Sequence, residues 1–295
     1  MKKIYFLVLI LFSACSSNDK NFDATGFFET TEVTVSAEAN GRITSLNISE
    51  GYELNKNQSV GAIDSIQLYL NKLQLEASMK SVTSSKPDIS KQIAVLNEQI
   101  AKQKTEKKRI ENLLKDNAAT TKQLDDINSV IKVLENQLSA TQSTLNKNFS
   151  SLDAQSSALD IQIAQINDRL EKCRIISPIN GTVLNKYAQE GELANIGKPL
   201  FKLGDTKNMF LRAYVTSGQL AGIKTGDKVK VTADFGGDKQ REYEGIVTWI
   251  SSKSEFTPKT IQTKNERENL VYAVKIAVEN DGYIKIGMYG EVIFK

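Results

Sequence analysis

The chain has 295 residues, with 38 Lys and Arg against 35 Asp and Glu and no histidine. That length allows one to three domains with a real core. The nearly balanced charge argues against nucleic acid as the main partner. The missing histidine removes Ser-His-Asp triads, Cys-His dyads and His-based metal sites.

The chain opens on Lys2 and Lys3, followed by an apolar run from Ile4 to Phe12. A bilayer needs ~20 apolar residues, so this run reads as a targeting segment and not as a span. Phe12-Ser13-Ala14-Cys15 resembles the lipobox of bacterial lipoproteins. The resemblance implies that residues 1–14 are a signal peptide, that cleavage falls before Cys15, and that Cys15 carries a diacylglyceryl thioether. An ordinary secretory signal is the alternative. Residues 15–26 then form a lipidated tether. There are two cysteines in all. With lipid on Cys15, Cys173 has no disulfide partner in the monomer and reads as a packing residue.

A strand is expected from Phe27 to Ala37, leading into a Gly-punctuated β segment that ends near residue 64. A second segment, residues 173–205, repeats it at a constant offset of 140: Gly41 with Gly181, Gly51 with Gly191, Asn57 with Gly197. Ile43, Val60 and Ile63 match Val183, Leu200 and Leu203 in the same register. Asn is the residue next most tolerant of the conformations Gly supplies, so Asn57 for Gly197 is a physical equivalence. Two such halves predict one small β-sandwich, split by whatever lies between them.

What lies between, residues 65–172, is helical in pattern. Ile66, Leu70, Leu73 and Ala77 give one apolar stripe. Ser84, Ser85 and Pro87 break it, and a second helix is expected from near Pro87 to Lys115. Its seam is Ile89, Ile93, Leu96, Ile100, Gln103, Lys107, Ile110 and Leu114. A turn follows, with Thr120 or Thr121 placed to cap the return helix. The return seam is Leu124, Ile127, Ile131, Leu134, Leu138, Thr141 and Leu145. Two four-three seams joined by a short turn predict an antiparallel coiled coil. Leu152, Leu159, Ile163, Ile166 and Leu170 continue it, so the hairpin should have two storeys. Lys102, Lys104, Lys107, Lys108 and Arg109 read either as a solvated face balanced by nearby glutamates or as an electrostatic contact. Residues 206–295 turn β, with about five Gly-punctuated strands that predict a small barrel.

These residues resemble the haemolysin D-type membrane fusion proteins, the periplasmic adaptors of tripartite export pumps. The fold class this implies is α+β and elongated: a lipoyl-like β-sandwich interrupted by a long helical coiled-coil hairpin, then a small β-barrel. In lipoyl and biotinyl carriers a lysine sits at a hairpin tip between the halves. A helical hairpin replaces it here, so no cofactor is implied. The tip carries the family's spaced pattern as Arg109, Leu113, Thr120 and Asp125, with Thr in place of Ser. In the family this tip docks to an outer-membrane duct of the TolC type. Helix capping and seam packing account for the same residues without a partner.

Glu255-Phe256-Thr257-Pro258-Lys259, Thr263, Arg267 and Leu270-Val271-Tyr272 resemble the barrel segment of adaptors that serve ABC exporters. Gly287-Met288 with Gly290 resembles the family's closing turn, which implies a missing or rudimentary membrane-proximal domain. The resemblance implies a non-enzymatic adaptor. It would be lipid-anchored at the inner membrane, paired with an ABC permease and ATPase in preference to a proton-driven pump, and ring-forming, commonly as a hexamer. A structural or signalling envelope lipoprotein with a coiled-coil spacer is the competing expectation.

Overall fold

The computed structural model describes residues 22–234, 240–255 and 270–294. The signal segment, Cys15, most of the tether, and Phe256 to Arg267 of the barrel segment lie outside the described residues.

The two halves fold into one sandwich. In the first half, β2 (Gly41–Leu46), β3 (Glu53–Leu54) and β4 (Ser59–Ile63) match β6 (Gly181–Lys186), β7 (Leu193–Ala194) and the start of β8 (Pro199–Thr216). The match extends to hydrogen bonds. The Gly51 N–H donates to the Val183 carbonyl and the Gly191 N–H to that of Ile43, each at 2.8 Å. The Lys56 N–H donates to Asn180 Oδ1 and the Ile196 N–H to Asn40 Oδ1. Each half therefore closes the turns of the other about a pseudo-two-fold axis. Gly51 and Gly191 have φ of 85° and 89°, and Asn57 and Gly197 have 66° and 89°. The turns need this left-handed backbone, which Gly and Asn tolerate best. Ile43, Val183, Leu200, Leu203 and Ile63 are buried between the sheets.

The same duplication sets the overall shape. β4 feeds the helices and β5 (Arg174–Ile176) receives them back. Their counterparts, β8 and β1 (Ala24–Ser36), instead run on into the barrel. Rod and barrel thus leave from symmetry-related strand pairs and extend in opposite directions, giving an elongated molecule.

In the barrel, β9 (Lys228–Asp234), β10 (Gln240–Ile250), β11 (Val271–Glu279) and β12 (Tyr289–Ile293) join β8. The sequence pattern suggests about five strands; the barrel closes with a further one. The first part of β1 pairs with β12 on one side and with β8 on the other. Periodicity shows that Phe27 to Ala37 is a strand but not that one strand serves two domains. A bulge between Thr30 and Glu32 marks the change of domain, where the Thr30 hydroxyl donates to the Asp205 carbonyl. Phe28, Leu211, Val231, Val247, Ile276 and Val292 fill the barrel.

The helical insert is α1 (Ile66–Ser84), α2 (Ile89–Lys115) and α3 (Thr121–Lys172). Pro87 precedes α2 instead of opening it. Asp88 is the N-cap, its carboxylate accepting from the Lys91 N–H at 3.2 Å. α3 is continuous over 52 residues, about 78 Å at 1.5 Å per residue. α1 packs along its lower half and α2 along its upper half. Lys86 pairs with Asp153 and Lys104 with Glu135, each at 2.9 Å. The spacing between the two lysines equals that between the two acids, so the break at Ser85 to Asp88 leaves the register unchanged.

The seams on α2 and α3 are the expected ones, each position being buried or half-buried. The α1 stripe is not. Ile66, Leu70 and Leu73 are exposed, and α1 turns Leu68, Leu75, Met79 and Val82 inward. α1 has apolar residues on two faces, so periodicity does not decide between them; packing against the sandwich and α3 does.

The duplication yields a matched prediction. Gly51→Ala and Gly191→Ala each place a Cβ in open space but force a side chain into a left-handed backbone. Each should destabilise by about 1–2 kcal/mol, and by similar amounts, in chemical denaturation.

Candidate functional site

The tip of the rod is built by local chemistry. α2 stops at Lys115, and Asn117 takes φ of 54°, which allows the Ala118 N–H to reach the Leu113 carbonyl at 2.8 Å. With the Asn117 N–H donating to the Leu114 carbonyl at 3.1 Å, this is a Schellman ending that has Asn at the left-handed position where Gly is commoner. Thr120 then caps α3 in a reciprocal arrangement. Its hydroxyl accepts from the Gln123 N–H, and its own N–H donates to Gln123 Oε1 at 2.9 Å. Of the two candidate caps, Thr120 and Thr121, it is Thr120 that takes the role.

Arg109, Leu113, Thr120 and Asp125 are all exposed. The Arg109 side chain is 74% exposed and among the described residues pairs only with Glu106, on its own helix, at 3.7 Å. Leu113 is 38% exposed. The Asp125 carboxylate has no partner among the described residues. Three of the basic residues engage neighbouring acids: Lys104 with Glu135, Lys107 with Glu111, and Arg109 with Glu106. That matches a balanced, solvated face.

The four tip residues share one end of the rod but not one flank. Lys104 and Glu135 bridge one flank. At ~100° per residue Leu113 lies ~180° from Lys104 on α2, and Arg109 ~140° from it. Asp125 lies only ~80° from Glu135 on α3. Arg109 and Leu113 thus share the flank opposite the Lys104–Glu135 bridge, Thr120 holds the turn, and Asp125 faces away from the arginine. Val130 and Val133, both exposed, lie on the Leu113 side. Sequence reasoning passed over them. The available signal was two β-branched apolar residues standing outside the four-three seam.

The Lys104 ammonium holds the Glu135 carboxyl below its usual range, first by a direct hydrogen bond and then by charge. The pair contributes fully above the ordinary carboxylate pKa and is lost as pH falls through the lowered value. Elsewhere, an open groove of about 880 Å³ lies between sandwich and barrel, lined by both polar and apolar residues, Thr182, Lys207, Met209 and Ile284 among them. No cluster of three or more metal-ligating side chains occurs among the described residues. No helix among them is long and apolar enough to cross a membrane.

A split sandwich carrying a helical rod, joined to a barrel by two shared strands, is a distinctive arrangement. The family model for the barrel-sandwich hybrid domain of RND MFP matches residues 31–205. The chain is a membrane fusion protein. That family consists of non-enzymatic periplasmic adaptors of efflux pumps, which work between an inner-membrane transporter and an outer-membrane channel and which oligomerise.

Two relatives extend the comparison beyond the sandwich. A UPF0194 membrane protein of Yersinia pseudotuberculosis is 25% identical over 295 residues, 92% of this chain and 88% of its own. The UPF0194 membrane protein YbhG of Salmonella arizonae is 26% identical over 300 residues, with the same coverage. Among solved structures, MacA from Actinobacillus actinomycetemcomitans superposes with a TM-score of 0.54 at 20% identity, over 91% of this chain and 76% of its own. It shares the fold of this membrane fusion protein.

Thr120→Ala should weaken the start of α3 by about 1 kcal/mol, read as faster amide exchange confined to the tip. Thr120→Ser should leave exchange unchanged.

Proposed function

We propose that this membrane fusion protein links an inner-membrane transporter to a TolC-type outer-membrane duct, with Arg109, Leu113, Thr120 and Asp125 as the docking tip. One observation carries the reading. The exposed tip lies at the far end of a rod held in one register, directed away from the barrel. Arg109 and Leu113 are free of the seam, so a partner can use them without unpacking the hairpin. The spacing of the four residues resembles the family's tip pattern.

The opposite end supports a membrane anchor. The Asp23 N–H donates to the Val292 carbonyl at 2.9 Å, and the Phe294 N–H to Asp23 Oδ2 at 2.7 Å. Residue 22 therefore stands at the barrel end remote from the sandwich. Cys15 is seven residues earlier, a reach of at most ~25 Å. A lipid on Cys15 holds that barrel end near the outer surface of the inner membrane in a Gram-negative-type envelope. In this reading residues 1–14 are removed and the adaptor is periplasmic. Its copies ring the channel, as a hexamer.

For the transporter we propose an ABC permease and ATPase. The support is the resemblance of Glu255 to Lys259, Thr263, Arg267 and Leu270 to Tyr272 to adaptors serving that class. The matched family carries the RND label, which names the competing class. Co-purification from the native membrane separates the two: an ATPase in the complex supports the proposal, and an RND pump in its place overturns it.

Arg109→Asp or Leu113→Ser should abolish export while helicity and thermal unfolding stay as in the parent chain. Unchanged export in both variants would remove the tip from the mechanism. Cys15→Ser should end labelling by radioactive palmitate and release the protein from washed membranes.

A further inference from the structure

The internal duplication supplies its own control for reading the surface. Paired positions share burial and much of their chemistry inside the sandwich. Outside they diverge, and mostly toward apolar residues in the second half; Tyr52 in the place of Glu192 is the reverse case. Leu193 occupies the place of Glu53, and Ile196 that of Lys56. Tyr187 and Ile176, also exposed, occupy the places of Asn47 and Ser36. Leu193 is 70% exposed and Ile196 67%, the highest values for large apolar side chains among the described residues. The core requires neither, because the first half folds the same way with Glu and Lys in those places.

Both residues belong to the turn around β7, and β7 is one of the two edge strands of its four-stranded sheet, β5 being the other. The other sheet ends on β3, the symmetry mate of β7. The β3 edge carries Tyr52, 52% exposed and the one large exposed apolar residue between Val35 and Ile63. Beside it lie Glu53, paired with Lys207, and Lys56. The pseudo-two-fold axis puts the two edges on opposite sides of the sandwich. Both are edge strands, the ordinary site at which a sheet adds a further chain, although on β7 the Leu193 carbonyl accepts from Lys198 Nζ at 2.8 Å.

We propose that the β7 edge of one copy docks head-to-tail on the β3 edge of a second copy, burying Leu193 and Ile196 against Tyr52. This deepens the ring proposed above by naming its contact and rests on that reading. A second copy fits because the two faces are unlike, lie on opposite sides of one body and bear the same turn geometry. That is the condition for a heterologous contact that repeats. An isologous pair would set Leu193 against Leu193 and leave Tyr52 in water. The contact lies at the sandwich, so tip and barrel end stay free for the duct and the transporter. Ile66 extends the apolar edge. Arg42 pairs with Leu193, its carbonyl accepts from the Asp64 N–H, and Asp64 Oδ1 accepts from the N–H of exposed Ile66.

The test uses the full chain in its native membrane with Leu193→Cys and Tyr52→Cys, the parent with its own Cys15 and Cys173 giving the background. Under mild oxidation, chains bearing either substitution alone should give no adduct above background. Co-expression of the two single variants should give a cross-linked dimer, and both substitutions in one chain should give a ladder of higher multimers. Dimer from Leu193→Cys alone, an adduct with a different protein, or no adduct in the mixed sample overturns the proposal. Leu193→Glu with Ile196→Glu should raise the dissociation constant for self-association at least tenfold with an unchanged melting curve. Arg109→Asp in the two-cysteine chain should lose export and keep the ladder, which separates failure of the edge contact from failure of tip docking.

Discussion

The structure depends on a reciprocal closure. Each half of the sandwich donates a glycine N–H to a strand of the other, Gly51 to Val183 and Gly191 to Ile43. Neither half completes its turns alone, so the halves fold as one body despite the long stretch of chain between them. An insertion of that length is tolerated because its two ends are already neighbours: the Ile63 N–H meets the Cys173 carbonyl at 2.8 Å. Loop closure grows only slowly with length, and an antiparallel hairpin brings its own ends together. The rod is therefore an addition to the sandwich and not a disturbance of it.

Reach follows from register. α3 is one unbroken helix, and α1 and α2 pack along it as though continuous, with Lys86–Asp153 and Lys104–Glu135 marking one track across the break. Exposed ion pairs of this kind add little to stability, but they fix which residues face each other. A rod with a fixed register presents its tip at a fixed distance from the sandwich. At the other end, β1 and β8 pass from sandwich to barrel without interruption, so the barrel is tied to the same frame. An adaptor requires this: two partners held at a set separation by a body that does no chemistry.

The tip shows how much a linear pattern conveys. The spacing of Arg109, Leu113, Thr120 and Asp125 placed all of them at one end of the rod, and a threonine cap at 120 or 121 followed from residue type and position, the structure selecting Thr120. Their division between two flanks did not follow, because spacing along a chain does not give rotation about a partner helix. The cross-helix contact of Lys104 with Glu135 marks that rotation. The flank that carries Val130 and Val133 is likewise defined by the packed pair of helices.

The sequence alone determined the duplicated halves, the helical insert, its two upper seams and its turn. Each of these is local: a glycine where φ must be positive, an apolar residue every three or four, a hydroxyl before a helix. Tertiary structure decided what depends on contacts between distant segments. It selected the buried face of α1, where two apolar stripes compete and the neighbouring sandwich and helix choose. It also gave β1 its double role, closing the barrel with its first residues and the sandwich with its last. Periodicity records that a strand alternates, but a strand's partners are set by the edges left open when the rest of the chain has folded.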